Sequence, residues 1–380
     1  MKTLIKWPGG KTRELETIRA AMPEDFSVYI EPFLGGGAVF FDVDVDRYLI
    51  NDVNADLIDF YRFVQCQSVD FFTELGKILK DWTMLESFVH VLTEPFQEFV
   101  VKARHTEDVK SIGKQLSQVT ETQIEGVGTA PKFIDRALLS QHIGASIASK
   151  LERIRKLEIK HDVQFNAEKN LEHLETAIRS AYYTAIRDAF EPNNREQEVA
   201  AFFFIREYCY GSMFRFNRNG KFNIPYGGIA YNKKDFGKKI DRLRASATIK
   251  RLDKAKIYQG DFEVFFQKIW DELDGGFAFF DPPYDSEFSD YDQHVFASDD
   301  QERLARVFHE LPCKAMMVIK ETPLIRSLYA DTVDSPIHIT MFDKLYTYNV
   351  RGRNQREVKH LLITNYDPQI IKTPEQLNLI

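Results

Sequence analysis

Gly276-Phe277-Ala278-Phe279-Phe280-Asp281-Pro282-Pro283-Tyr284 is the stretch that decides the fold. A short apolar run opened by a glycine and closed by an acid and two prolines has the length of a strand and no polar face. A strand without a polar face is covered on both sides, as in a parallel sheet flanked by helices. Runs of similar character occur at Ser27-Val28-Tyr29-Ile30, Arg47-Tyr48-Leu49-Ile50, Lys256-Ile257-Tyr258, Ala315-Met316-Met317-Val318-Ile319 and Val358–Ile363. A helical pattern over Asp56–Val64 begins the alternation of strand and helix that defines an α/β domain.

The middle of the chain breaks that rhythm. From Phe71 to Phe190 the pattern is helical, with charged segments such as Lys150-Leu151-Glu152-Arg153-Ile154-Arg155-Lys156-Leu157. Asn166 is expected to cap a helix whose apolar positions Leu171, Leu174, Ile178, Tyr182 and Ile186 recur at three and four. Glu191-Pro192-Asn193-Asn194 ends it. The expected organisation is a discontinuous α/β domain over 1–64 and 256–380, interrupted by a helical and basic insertion over 65–255.

Composition bounds the function. The chain has 380 residues, 44% apolar and 28% charged, which suits a folded soluble protein. The longest apolar run, Val199–Ile205, is too short for a membrane span, and the first residues lack the apolar core of a secretion signal. Cys66, Cys209 and Cys313 are too few and too scattered for a disulfide framework or a CxxC metal site. Histidine spacing suggests no metal either. A cytoplasmic protein without membrane contact is expected. The net charge of −7 taken alone argues against a nucleic-acid partner, but it is unevenly spread. Arg206–Lys256 carries 14 Lys/Arg and 4 Asp/Glu, a local +10, which leaves −17 for the remainder. A basic block within an acidic chain is the footprint of a polyanion contact.

Two loops carry chemistry. Glu31-Pro32-Phe33-Leu34-Gly35-Gly36-Gly37 follows a strand and is expected to precede a helix, where doubly wound folds bind nucleotide-like ligands. Asp52 ends the next strand, placed to accept from ribose hydroxyls. Asp281-Pro282-Pro283-Tyr284 lies at the carboxyl end of its strand. Asp281 and the Pro282 carbonyl are two stiffly aimed acceptors that suit an exocyclic NH2, and Tyr284 offers a face to a planar base. Lys6-Trp7-Pro8-Gly9-Gly10-Lys11-Thr12 is not a P-loop, because Ile5 stands where the leading glycine belongs. Pro312-Cys313 opens a strand and reads as a buried, inert thiol.

Taken in order, Lys6–Lys11, Glu31–Gly37, Asn51-Asp52 and Asp281–Tyr284 resemble the Dam-type DNA adenine-N6 methyltransferases. Tyr210–Gly227 resembles that family's DNA-reading β-hairpin, with Asn219-Gly220 at its tip. The implied fold is a Rossmann-like methyltransferase sheet with an inserted, mainly helical DNA-recognition domain. The implied cofactor is S-adenosyl-L-methionine, held by Trp7, Lys11, Phe33, Gly35, Gly37, Asp52, Asp261, Phe262 and Asp281. Phe262 is expected to pack on its adenine ring. Asp281, Pro282 and Tyr284 are the implied catalytic residues, acting on a flipped-out adenine of double-stranded DNA.

The resemblance also implies how DNA is held. Arg215 is the candidate for a bidentate contact with guanine, with Met213 and Phe214 packing on bases and Tyr210 filling the vacated space. Arg206, Asn217, Arg218 and Lys221 are expected on the DNA, the cations chiefly at phosphates. Lys233 and Lys234 read equally as phosphate contacts or solvated charges. The loop containing Arg353 and Asn354 reads equally as an ordinary hairpin or a clamp on the backbone. The resemblance also implies a cognate restriction endonuclease acting on the same site as a partner. Cytosine-N4 methylation and a non-catalytic DNA-binding module are the alternatives. Asp in place of Ser before the prolines favours adenine, and the intact motifs favour an enzyme.

Overall fold

The computed structural model describes residues 1–213, 215–217, 220–283, 296–330, 336–345 and 357–368. These residues divide into two compact units, 1–66 with 243–380 and 67–242.

The first unit is built on a sheet of β1 (Val28–Glu31), β2 (Arg47–Asp52), β3 (Ala255–Gln259), β4 (Gly276–Phe280), β5 (Lys314–Lys320), β6 (His338–Leu345) and β7 (Glu357–Thr364). Their order is β3-β2-β1-β4-β5-β7-β6. The first five are parallel, and β7 runs antiparallel to both its neighbours. This is the mixed α/β, Rossmann-like architecture expected. The strand order reverses between β1 and β4, which pair Val28 with Gly276 and Ile30 with Ala278. The loops leaving those two strands are therefore neighbours at the carboxyl edge, where such sheets bind ligands.

Alternation along the strands explains why both faces are buried. Val28, Ile30, Ala278 and Phe280 pack with Phe265, Phe266, Leu304 and Phe308 in one core. On the neighbouring strand positions, Tyr29 lies 6.0 Å from Tyr48 and 6.1 Å from Phe277 between ring centres. At about 25 cal/mol per Å2 of apolar surface, such full burial stabilises by roughly 1.5–3 kcal/mol per large side chain.

Among the described residues, the helices of this unit include α1 (Leu15–Ala21) and α2 (Ala55–Gln65). The second unit carries α3 (Val69–Arg104), α4 (Val109–Gly126), α5 (Arg136–His161), α6 (Ala167–Ala189), α7 (Arg195–Tyr208) and the short α8 (Ile229–Asn232). α9 (Phe236–Leu243) ends that unit, and α10 (Ser246–Asp253), α11 (Phe262–Ile269), α12 (Ser298–Glu310) and α13 (Pro323–Leu328) belong to the first unit. The core of the helical unit includes Trp82, whose ring centre is 5.2 Å from Phe204 and 4.6 Å from Tyr208. Asn166 caps α6 by accepting from Lys169 N at 2.9 Å.

Two expectations change, and one strand is new. No helix follows the glycine turn. Residues 38–42 form successive turns, with Phe41 N–H donating to Gly37 O at 3.0 Å. The sequence Val39-Phe40-Phe41-Asp42-Val43 is poor in helix formers, and its apolar side chains are buried without a full helix. Leu171 is 39% exposed, because Asn170 and His173 occupy the buried face of the first turns of α6. The sequence pattern does not announce β6, because its mixed polar and apolar residues, His338-Ile339-Thr340-Met341, give a weak edge-strand signal.

Candidate functional site

The site in the α/β unit is assembled from four loops at the carboxyl edge. The loop after β1 turns at Gly35, where φ is +49°, a left-handed conformation that favours glycine. A Cβ added there would stand 2.8 Å from Trp7 Cδ1, so the indole is seated directly on the turn. The turn is tied from both sides. Gly35 N–H donates to Asp52 Oδ2 at 2.9 Å, and the Tyr61 hydroxyl donates to Gly35 O at 3.2 Å. Gly37 N–H closes the bend by donating to Leu34 O at 2.7 Å.

Asp52 ends β2 and is buried. Its other oxygen accepts from Asn54 N–H at 2.9 Å. Burial raises its carboxyl above the ordinary aspartate range, while the hydrogen bonds from Asn54, Gly35 and Val53 oppose that rise. The neighbouring Asn51 is a clip whose role the sequence pattern does not announce. Its Nδ2 donates to Pro32 O at 3.1 Å and Gly260 O at 2.9 Å, joining the loops after β1 and β3. An asparagine at the last buried turn-out of a strand was the available signal.

After β4 comes Asp281, on which Lys11 Nζ donates a hydrogen bond and forms an ion pair. Lys11 is 1% exposed, and its ammonium also donates to Gly9 O at 3.2 Å. An ammonium removed from water needs such partners. Behind them Glu31, at the end of β1, accepts from the Tyr29 hydroxyl at 2.9 Å. Burial pushes the Glu31 carboxyl well above its usual range, the Tyr29 bond pulls it back, and the charge of Asp281 adds to the rise. Pro282 is buried. Tyr284 lies outside the described residues.

After β3, Asp261 caps α11, accepting from Glu263 N–H at 2.9 Å. Arg303 of α12 donates to the same oxygen at 2.7 Å. Phe262 is 3% exposed, its ring centre 5.6 Å from that of Phe33 and 5.9 Å from that of Phe296. The structure thus gathers Trp7, Phe33, Gly35, Gly37, Asp52, Lys11, Asp281, Asp261 and Phe262 onto loops of one sheet edge. Cys313 is buried, and burial pushes its thiol up to about 12, away from thiolate chemistry.

In the helical unit, the described residues on either side of the expected Asn219-Gly220 tip pair in antiparallel fashion. Cys209 bridges Tyr226 and Phe216 bridges Phe222, both antiparallel. Asn217 N–H donates to Lys221 O at 2.8 Å, and its side chain accepts from Lys221 N–H at 3.0 Å. Asn217 therefore has a part in shaping the turn. Arg215 and Lys221 are exposed, Tyr210 is 45% exposed, and Met213 is half-buried. Arg215 Nε donates to Asn223 Oδ1 at 2.8 Å, which braces the guanidinium across the hairpin. Phe214, Arg218, Arg353 and Asn354 lie outside the described residues.

Arg206 corrects one expectation. It is 1% exposed and donates through Nη1 to Met213 O at 2.9 Å, so it supports the hairpin from inside and is not on a phosphate-facing surface. It precedes the hairpin on the buried side of α7, where a count of charges cannot distinguish inside from outside. Lys234 is half-buried, its ammonium donating to Glu207 O at 3.2 Å, whereas Lys233 is exposed.

The fold and this sheet-edge site are those of a Rossmann-like methyltransferase. Residues 7–117 and 142–347 match the D12 class N6 adenine-specific DNA methyltransferase family, and the chain belongs to it. It is an adenine-specific DNA methyltransferase. Among its relatives, the Type II methyltransferase M.CviBI of Paramecium bursaria Chlorella virus NC1A is 26% identical over 96% of this chain and 100% of its own length. The Type II methyltransferase M.MjaIII of Methanocaldococcus jannaschii is 24% identical over 96% of this chain and 99% of its own. A DNA adenine methylase of Serratia marcescens is 21% identical over 93% and 95%. No helix among the described residues is long and apolar enough to cross a membrane.

Proposed function

We propose that the enzyme binds S-adenosylmethionine along the carboxyl edge of β1, β2 and β3 and methylates N6 of an adenine flipped out of duplex DNA. The observation that carries this reading is the Asp281 carboxylate, held by Lys11 at the strand-order reversal beside the Gly35 turn. The residues present suit the cofactor. The Gly35 backbone leaves no room for a side chain on the Trp7 side, as a close-approach turn requires. Asp52 keeps lone pairs beyond its backbone bonds for ribose hydroxyls, and Asp261 and Phe262 stand where the adenine ring is expected. When bound, S-adenosylmethionine supplies an electrophilic methyl group.

The protein's own part is positioning and polarity. The lone pair of the N6 amine is delocalised into the ring, which makes it a weak nucleophile. Accepting hydrogen bonds from it at Asp281 and the Pro282 carbonyl favours a more localised lone pair. Lys11 aims the Asp281 carboxylate through its ion pair. Flipping the base costs about a few kcal/mol, met by contacts to the extruded base and the backbone. Positioning and preorganised charge supply most of the rate.

In this reading Arg215 reads a base edge and Lys221 holds a phosphate, with Tyr210, Met213 and Asn217 on the same hairpin, and Phe214, Arg218, Arg353 and Asn354 are further DNA contacts. Tyr284 stacks on the target base. The Type II names of two relatives suggest a cognate restriction endonuclease sharing the recognition sequence, in a cytoplasmic setting. The test is to map N6-methyladenine in DNA from cells expressing the chain. Methylated adenine in one short sequence context supports the proposal. Methylated cytosine, or no modification with cofactor bound, overturns it.

A further inference from the structure

The first turn of α12 ties together two loops that the sequence motifs treat as separate. Gln301 is 0% exposed, and its Nε2 donates to Pro283 O at 3.1 Å. Its Oε1 is buried without a hydrogen-bond partner among the described residues. A buried amide in that condition is costly, so its retained bond to the loop is the interaction that accounts for it. Two residues on, Arg303 donates through Nη2 to Asp261 and through Nε to Glu263 at 2.9 Å, and its guanidinium lies 5.0 Å above the Phe262 ring. The turn itself is stiffened. Asp300 accepts from Ala297 N–H at 3.0 Å and from Arg303 Nη1 at 2.9 Å.

We propose that this turn is a clamp, with Gln301 positioning the Asp281-Pro282-Pro283 loop and Arg303 positioning Asp261 and Phe262. The inference rests on the functional reading above, in which the first loop holds the target amine and the second the cofactor's adenine. Neither residue need touch a ligand. Gln301 acts through a backbone carbonyl two residues after Asp281. Arg303 acts by holding a carboxylate and an aromatic ring that face the base. The arrangement predicts a division of labour, because the two arms leave the helix toward different loops. Loss of the Gln301 arm loosens the acceptors for the amine, and an error of about 1 Å in such groups costs up to about a hundredfold in rate. Loss of the Arg303 arm loosens the cofactor side.

The experiment compares the full chain with Gln301→Met, Gln301→Glu and Arg303→Met. It measures cofactor dissociation constants by titration with S-adenosylmethionine, and single-turnover methyl transfer at saturating DNA and cofactor. Folded fraction is followed by thermal unfolding. Gln301→Met preserves volume, and Gln301→Glu preserves shape while replacing the donor with an acceptor facing the Pro283 carbonyl. Both are expected to transfer about tenfold or more slowly, with cofactor affinity within about twofold of wild type. Arg303→Met is expected to show the reverse, about fivefold or more weaker cofactor binding with a largely retained rate at saturation. Wild-type rates in both Gln301 variants would overturn the clamp. So would losses of rate and affinity that track folded fraction in all three. If the wild-type chain itself neither binds the cofactor nor methylates DNA, the functional reading fails and not the clamp alone.

Discussion

The Lys11 ammonium donates to the carboxylate of Asp281, joining the amino-terminal segment to the end of β4 across 270 positions of sequence. Lys11 is buried while the Asp281 side chain is 20% exposed, so the pair has a dry end and an open end. The open end is where an amine donor can approach. Asp281→Ala is expected to lower methyl transfer by about 10^2–10^3-fold or more while DNA binding survives. Quantifying methyl incorporation alongside DNA affinity checks it. Transfer at near wild-type rate would remove the role given to Asp281.

Lys11→Met addresses the dry end of the same pair. Removing the cation leaves the Asp281 carboxylate without its charged donor, and a hydrogen bond to a charged group contributes about 1.5–3 kcal/mol. The variant should lower the melting temperature and slow transfer together. A slower enzyme of unchanged stability would mean that Lys11 serves the substrate alone.

At Gly35 the backbone is in the left-handed region and Trp7 occupies the space of a side chain. Gly35→Ala should therefore destabilise by about 1–3 kcal/mol through strain and displacement of the indole. It should also weaken binding of S-adenosylmethionine by about tenfold. Thermal unfolding and a cofactor titration measure the two effects. An alanine variant with intact affinity would detach the turn from the cofactor.

The proposed function gives the charges on the hairpin two roles. Arg215 is braced against Asn223, a geometry that holds a guanidinium fork in one direction. Lys221 is exposed at the turn. Arg215→Ala is expected to relax sequence preference, at about 1–3 kcal/mol of discrimination. Lys221→Ala should weaken binding evenly across sequences and reduce the salt slope by about one. Methylation kinetics on a panel of single-base variants, repeated at several salt concentrations, distinguish the two. Equal losses on every sequence for Arg215→Ala would contradict base readout.

These contrasts show why some of the site was legible and some was not. Gly276–Phe280 announces a buried strand because every residue in it is apolar, and Asp281 inherits its place from that strand. Gly35 and Asp52 were legible as a turn and a strand end. Their mutual hydrogen bond was not, since it depends on β1 and β2 lying side by side. Gln301 and Arg303 sit in an ordinary charged helix start, Ser298-Asp299-Asp300-Gln301-Glu302-Arg303, where composition says only that the helix is solvated. Arg206 fails in the opposite direction. It belongs to a basic block by sequence and to the interior by packing, and only the fold reveals which.

His173 in α6 provides a pH test of the helical unit. Its ring is 7% exposed, stacks on Phe165 with centres 5.4 Å apart, and has neither nitrogen hydrogen-bonded among the described residues. Burial, with the nearby charges of Lys150, Lys169 and Arg153 and against the pull of Glu172, lowers its pKa from the usual 6.5 to about 4. The unfolded chain therefore takes up a proton below about pH 6.5 while the folded chain does not until about pH 4. Stability that is complete above the unfolded value is lost as pH falls through this window, by about 3 kcal/mol at most. His173→Phe keeps the stacking and removes the titration, so its stability should fall less between pH 7 and pH 4 than that of wild type. Denaturant unfolding of both proteins at intervals across that range measures the difference. Parallel curves would place the acid sensitivity on other groups, the Arg104–Glu158 pair between α3 and α5 being the next to test.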